Sequence, residues 1–97
     1  TVKLTITEQY RNMKEIIDTC MELIDYATAA CKECKIPALI TPIRGGTDGA
    51  RLSFMGLPCP NLGTGGHAFH GPYEHITAEG MDIAVEVGLK IIELFYK

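Results

Sequence analysis

Apolar residues recur every three or four positions through Met13, Ile16, Ile17, Cys20, Leu23, Ile24, Ala27, Cys31 and Cys34. That spacing puts them on one side of a long helix running from near Asn12 to Lys35, irregular around Asp18 and Thr19. Lys14, Asp18, Glu22, Asp25 and Lys32 mark its wet side, and Pro37, which has no N–H to donate, ends it. A second helix is expected from Ala78 to about Tyr96, capped by Thr77, with Met81, Ala84, Val85, Gly88, Ile91, Ile92 and Phe95 facing inward. On its outer side Glu86 with Lys90 and Glu93 with Lys97 stand four apart in the favourable order. Two such helices must bury their stripes against another element, so the fold is layered.

The segments around them read as strands and turns. Thr1-Val2-Lys3-Leu4-Thr5-Ile6 alternates apolar and polar, which predicts a strand over 1–8. Ala38 to Ile43 reads as a second strand, with Pro42 marking an edge or bulge, and Cys59 to Thr64 as a third. Between these two lies a two-turn helix, Gly49 to Met55, closed by Gly56 and Pro58. The order strand, long helix, strand, short helix, strand, long helix predicts an α/β layer fold with loops of interest at strand ends.

Composition narrows the functional classes. A 97-residue chain that is 46% apolar is one domain or part of one, and a net charge of −3 without a basic stripe argues against nucleic acid. No apolar run reaches the roughly 20 residues of a membrane span, so no membrane role is expected. The chain opens on strand-like residues without Met or a secretory signal, as though it begins within something larger. Cys31-Lys32-Glu33-Cys34 matches a CxxC, but three of the four thiols fall on the helical stripe, where cysteine acts as a small hydrophobe, and no second CxxC completes a metal site. Reduced thiols point to the cytoplasm.

Two stretches carry chemistry. In Arg44-Gly45-Gly46-Thr47-Asp48-Gly49, two glycines let backbone approach a ligand, Thr47 or Asp48 caps the following helix, and Arg44 supplies a planar charged fork. The whole reads as an anion site at a helix N-terminus. Gly65 to His75 holds all three histidines of the chain, a concentration that suggests a metal ligand, with Glu74 near enough to steer a neighbouring imidazole. From the residues alone, His70 is open to a plain loop role and Arg44 to a surface ion pair.

The string from Ile43 to Met81, RGGTDG followed by PCPNL, a glycine pair and HG, closely resembles the C-terminal part of the peptidase T family, zinc tripeptidases of the aminoacylase and carboxypeptidase superfamily. The likeness extends back through Gln9-Tyr10-Arg11-Asn12-Met13 and covers nearly the whole chain. It implies the C-terminal part of a three-layer αβα catalytic domain over residues 10–97, with residues 1–9 as the closing strand of an inserted lid domain. It implies two zinc ions in the complete enzyme, with His70 as one ligand. Arg44, Gly45, Gly46 and Thr47 would hold the peptide and its C-terminal carboxylate, and Glu74 would orient His70. The remaining ligands, the bridging aspartate and the general-base glutamate belong to the family's N-terminal part, so no catalytic residue lies in this segment. Short peptides, the N-terminal part of the same enzyme and a second copy in a homodimer are the implied partners. The isolated chain is expected to be inactive, because one histidine cannot hold zinc firmly. The alternatives are a noncatalytic module that binds an anion or peptide, and an oligomerising α/β module with unpaired edges.

Overall fold

The computed structural model describes residues 1–43 and 45–96, and among them are four helices. These are α1 (Lys14–Ile17), α2 (Glu22–Glu33), α3 (Asp48–Phe54) and α4 (Ala78–Tyr96). The long helix expected from Asn12 to Lys35 is thus two helices, broken at the irregular position. Thr19 is the physical reason. Its hydroxyl donates to the Ile16 carbonyl at 2.6 Å and its own N–H reaches the same oxygen at 3.1 Å, which tightens the chain into three-residue turns. The stripe survives the break: Ile17 is buried, its companions are half-buried, and the five polar residues opposite are exposed.

Both α2 and α3 end in the same way. Ile36 N–H reaches back to Cys31 O at 2.9 Å and Lys35 N–H to Lys32 O at 3.0 Å, around a left-handed Lys35 at φ +60. Leu57 N–H to Leu52 O at 3.0 Å and Gly56 N–H to Ser53 O at 3.4 Å repeat the pattern around Gly56 at φ +101. Each is the reverse turn that satisfies the last orphan carbonyls of a helix. At the other end of the chain Thr77 caps α4, its Oγ1 accepting from Gly80 N–H at 3.0 Å.

α2 and α4 pack together antiparallel. The Tyr26 and Phe95 rings meet at a tilt of 55° with centroids 4.5 Å apart, and seven residues further along α2 Glu33 lies 3.7 Å from Lys90 Nζ. Ala30, on the same face between Tyr26 and Glu33, is fully buried, as is most of Val87 on α4. The inner face of α4 is therefore rotated from the expected one. Ala84, Val87, Gly88 and Ile91 are shielded, whereas Met81, Val85, Leu89, Ile92 and Tyr96 form an exposed apolar row. Lys90 pairs with Glu93 at 3.2 Å and with Glu33 rather than with Glu86. The hydrogen bond to Glu93, then the charges of Glu93 and Glu33, raise the Lys90 ammonium above its ordinary range. Lys97 lies outside the described residues, and the expected Glu93–Lys97 pair with it.

A second, smaller cluster joins α1 to α3. Arg11 stands 5.3 Å over the Phe54 ring while its guanidinium pairs with Glu15 at 2.9 Å. Ser53 is the centre of this cluster and only 1% exposed. Its hydroxyl donates to Gly49 O at 2.8 Å, accepts from Cys59 N–H at 2.9 Å and lies 3.8 Å from Met13 Sδ.

Residues 1–8, 38–43 and 59–64, expected as strands, form no ladder. Among the described residues the single strand-like pairing is an antiparallel bridge between His67 and His75. A strand exists only where its N–H and C=O groups meet a neighbouring backbone, and these segments have none to pair with here. The radius of gyration, 16.4 Å, exceeds the about 13 Å of a compact domain of this size, and the molecule is a slab of 59 × 37 × 17 Å.

Two substitutions test this packing. Ala30→Leu forces a larger side chain into the α2–α4 contact and is expected to destabilise the helix pair by about 1–3 kcal/mol, read as a lower urea midpoint in circular dichroism. An unchanged midpoint would mean that the two helices do not pack through that face. Ser53→Ala leaves the Cys59 N–H without its acceptor and is expected to cost about 1–3 kcal/mol, with faster amide exchange at Cys59. Unaltered exchange there would show that the hydroxyl does not hold the segment.

Candidate functional site

The Gly-rich turn is fixed from three sides. Gly45 has φ +86, a left-handed value that a residue with a Cβ adopts only with strain. The Tyr10 ring lies so close over Gly46 that any side chain added there would collide with it. Thr47, in extended conformation, is the N-cap of α3: its Oγ1 accepts from Ala50 N–H at 3.2 Å and also from Asn61 Nδ2 at 3.2 Å. Of the two candidate caps it is Thr47, not Asp48, that makes the bond, and Asp48 stands exposed in the first turn. Arg44 lies outside the described residues.

The segment Pro58 to Asn61 is the brace for this turn. A Cβ on Gly49 would sit 2.5 Å from Cys59 O and 3.1 Å from Asn61 Oδ1, so a glycine is needed for the two backbones to approach. Together with the Ser53 bond to Cys59 N–H, these contacts seat the α3 N-terminus against the loop that follows the helix. Tyr10, Ser53 and Asn61 are the positioning residues that the sequence reading passed over. A serine in an otherwise apolar helix face, and an asparagine straight after a proline, were the available signals.

The histidines lie on a hairpin. His67 N–H donates to His75 O at 2.9 Å and His75 N–H to His67 O at 3.1 Å, closing its base. At the tip, Glu74 N–H reaches Gly71 O at 3.2 Å, a four-residue turn with Pro72 at its second position, where the fixed φ of proline is favoured. Ala68 and His70 turn the chain with φ +56 and +62. A non-glycine residue held in that region costs about 1–3 kcal/mol and points to a constraint at the position. His70 is exposed at the tip, and the Phe69 ring packs over Gly66. The Glu74 carboxylate makes no hydrogen bond or ion pair among the described residues, with His70 or otherwise.

No set of candidate ligands comes together at His70 among the described residues. Among the described residues no three His, Cys, Asp or Glu side chains converge, whereas zinc sites use three or four protein ligands. The described residues thus bring no three protein ligands together on one ion. Nor does a hydrogen bond join the hairpin to the Gly45–Thr47 turn among the described residues. The four cysteines are half-buried free thiols, and no helix among the described residues is long and apolar enough to cross a membrane.

No family model matches the chain. Relatives do. Peptidase T of Alkaliphilus oremlandii is 59% identical over 97 residues, all of this chain and 24% of the relative. Peptidase T of Clostridium perfringens is 56% identical over 95 residues, 98% of the chain and 23% of the relative, and that of Vibrio atlanticus 55% identical over 93 residues, 96% and 22%. The chain spans about a quarter of the length of the curated relatives it matches. Identity at this level, over an alignment that spans the whole chain, makes the chain a homologue of the C-terminal segment of peptidase T.

Proposed function

We propose that this chain is the C-terminal segment of a cytoplasmic zinc-dependent aminopeptidase that removes the N-terminal residue of tripeptides. The observation that carries the reading is the 59% identity to a peptidase T across all 97 residues. In the complete enzyme the segments 1–8, 38–43 and 59–64 would join strands supplied by the rest of the protein into a three-layer αβα domain, residues 1–9 closing the lid. His70 would be one ligand of a centre whose other ligands come from the N-terminal part. The hairpin suits that role because it carries an exposed imidazole on a tightly reversed backbone.

The Gly45-Gly46-Thr47 turn would receive the substrate's carboxylate, with Arg44 as its charged partner. Support comes from the bracing by Tyr10 and Asn61, which holds the turn in one conformation before any ligand arrives, so that less ordering is needed on binding. Asp48, exposed beside it, would disfavour anions that carry more than one charge. Glu74, with no partner among the described residues, can turn toward His70.

A second reading has its own observation. The exposed row Met81, Val85, Leu89, Ile92 and Tyr96 on α4 is the kind of surface that associates, which favours an oligomerising role or a homodimer. The α2–α4 pair supplies a helical layer with one side covered and one bare.

A transplant tests the main reading. Replacing the matching quarter of Alkaliphilus oremlandii peptidase T with this chain is expected to give an enzyme that hydrolyses tripeptides, loses activity to a chelator and is abolished by His70→Ala. Full activity in the His70→Ala chimera would sink the ligand assignment. The 97-residue chain alone is expected to show no metal-dependent cleavage, and turnover above contaminant level would contradict the segment reading.

A further inference from the structure

The base of the histidine hairpin holds a feature that the peptidase reading leaves unused. His67 and His75 occupy the two facing positions of the antiparallel bridge, each exchanging backbone hydrogen bonds with the other. Facing residues on an antiparallel pair project to the same side. Their imidazoles accordingly stack, centroids 5.2 Å apart and planes inclined by 26°. Both residues are exposed.

The ring of His75 is anchored through one nitrogen. Its Nδ1 lies 2.7 Å from Tyr73 O. A carbonyl oxygen only accepts, so the proton of the neutral ring is on Nδ1, and the lone pair is on Nε2. An N–H donated from one imidazole nitrogen to a backbone carbonyl is the arrangement that fixes the tautomer and orientation of a metal-ligating histidine and makes its other nitrogen a better donor.

We propose that His67 and His75 form a two-imidazole clip for a borderline divalent transition ion of the zinc, nickel or copper class, separate from His70. The ion takes Nε2 of His75 and one nitrogen of His67, and water fills its remaining positions. Imidazole suits these ions, whereas calcium and magnesium prefer oxygen. Two nitrogens at about 2.0–2.1 Å from one ion are about 3 Å apart. The His67 ring, with no side-chain hydrogen bond among the described residues, turns out of the stack to bring a nitrogen to that separation while His75 stays anchored. An ion bound there ties the two arms of the hairpin whose tip carries His70. The site needs no residue from outside this chain, so it holds or fails independently of the peptidase assignment.

Zinc chloride titrated into the 97-residue chain, with Cys31→Ser and Cys34→Ser to keep the ion off the thiols, reads the site through imidazole nitrogen chemical shifts. Before zinc, His75 is expected to report Nδ1–H. With zinc, nitrogens of His67 and His75 are expected to shift together at one ion per chain. Either His67→Gln or His75→Gln should weaken the zinc affinity at least about tenfold, since losing a ligand costs no less than losing its outer partner. His70→Ala should leave the affinity within about twofold of the parent, far inside that tenfold step. The substituted residues are exposed and the bridge is made by backbone, so folding is expected to persist and is checked by circular dichroism. An Nε2–H tautomer at His75 in the free chain, shifts at His75 without His67, no shift at all, or a loss in His70→Ala equal to that of the glutamine variants would each overturn the proposal.

Discussion

The hydroxyl of Ser53 is the point on which the local architecture around the glycine turn depends. It is a buried polar group with both of its capacities used, donating back into its own helix and accepting from Cys59 N–H. A buried hydroxyl without partners is costly, so the segment after α3 cannot move away without exposing two unsatisfied groups. With Cys59 held, Asn61 reaches Thr47 and the start of α3 is fixed. The Gly45–Thr47 turn thus takes its shape from a bond several residues away in sequence and inside the protein. A loop stiffened in this way spends little entropy when a ligand arrives.

The helices were legible because their causes are local. The three- and four-residue spacing from Met13 to Cys34, the break near Thr19, Gly56 closing α3 and Thr77 opening α4 are each decided within a few residues. The rotation of α4 was not, because Met81, Val85 and Ile92 are as apolar as Ala84, Val87 and Ile91, and only the partner helix selects between two apolar faces. The strands depend on partners too. Alternation in Thr1 to Ile6 describes a surface that suits a sheet, and it leaves open whether a neighbouring strand exists. Among the site residues, His70 and the glycine turn stood out by composition. Ser53 and Asn61 work through single hydrogen bonds, which leave little trace in a pattern of apolar and polar residues.

The three histidines divide by position rather than by type. His67 and His75 sit where the hairpin backbone pairs, so their geometry follows from the bridge and survives changes at the tip. His70 sits where the chain reverses, away from that pairing. One loop of fewer than a dozen residues therefore offers imidazoles in two mechanical settings, one clamped and one presented.

The left-handed backbone at His70 also shapes how this position can vary. Glycine, asparagine and aspartate adopt φ near +62 with least strain, and none of them offers an imidazole. Aspartate alone among them keeps a metal-ligating group, and it puts a charged oxygen where histidine has a neutral nitrogen. Position 70 consequently has a narrow path of replacement: most single-residue changes there trade away either the shape of the loop or its imidazole.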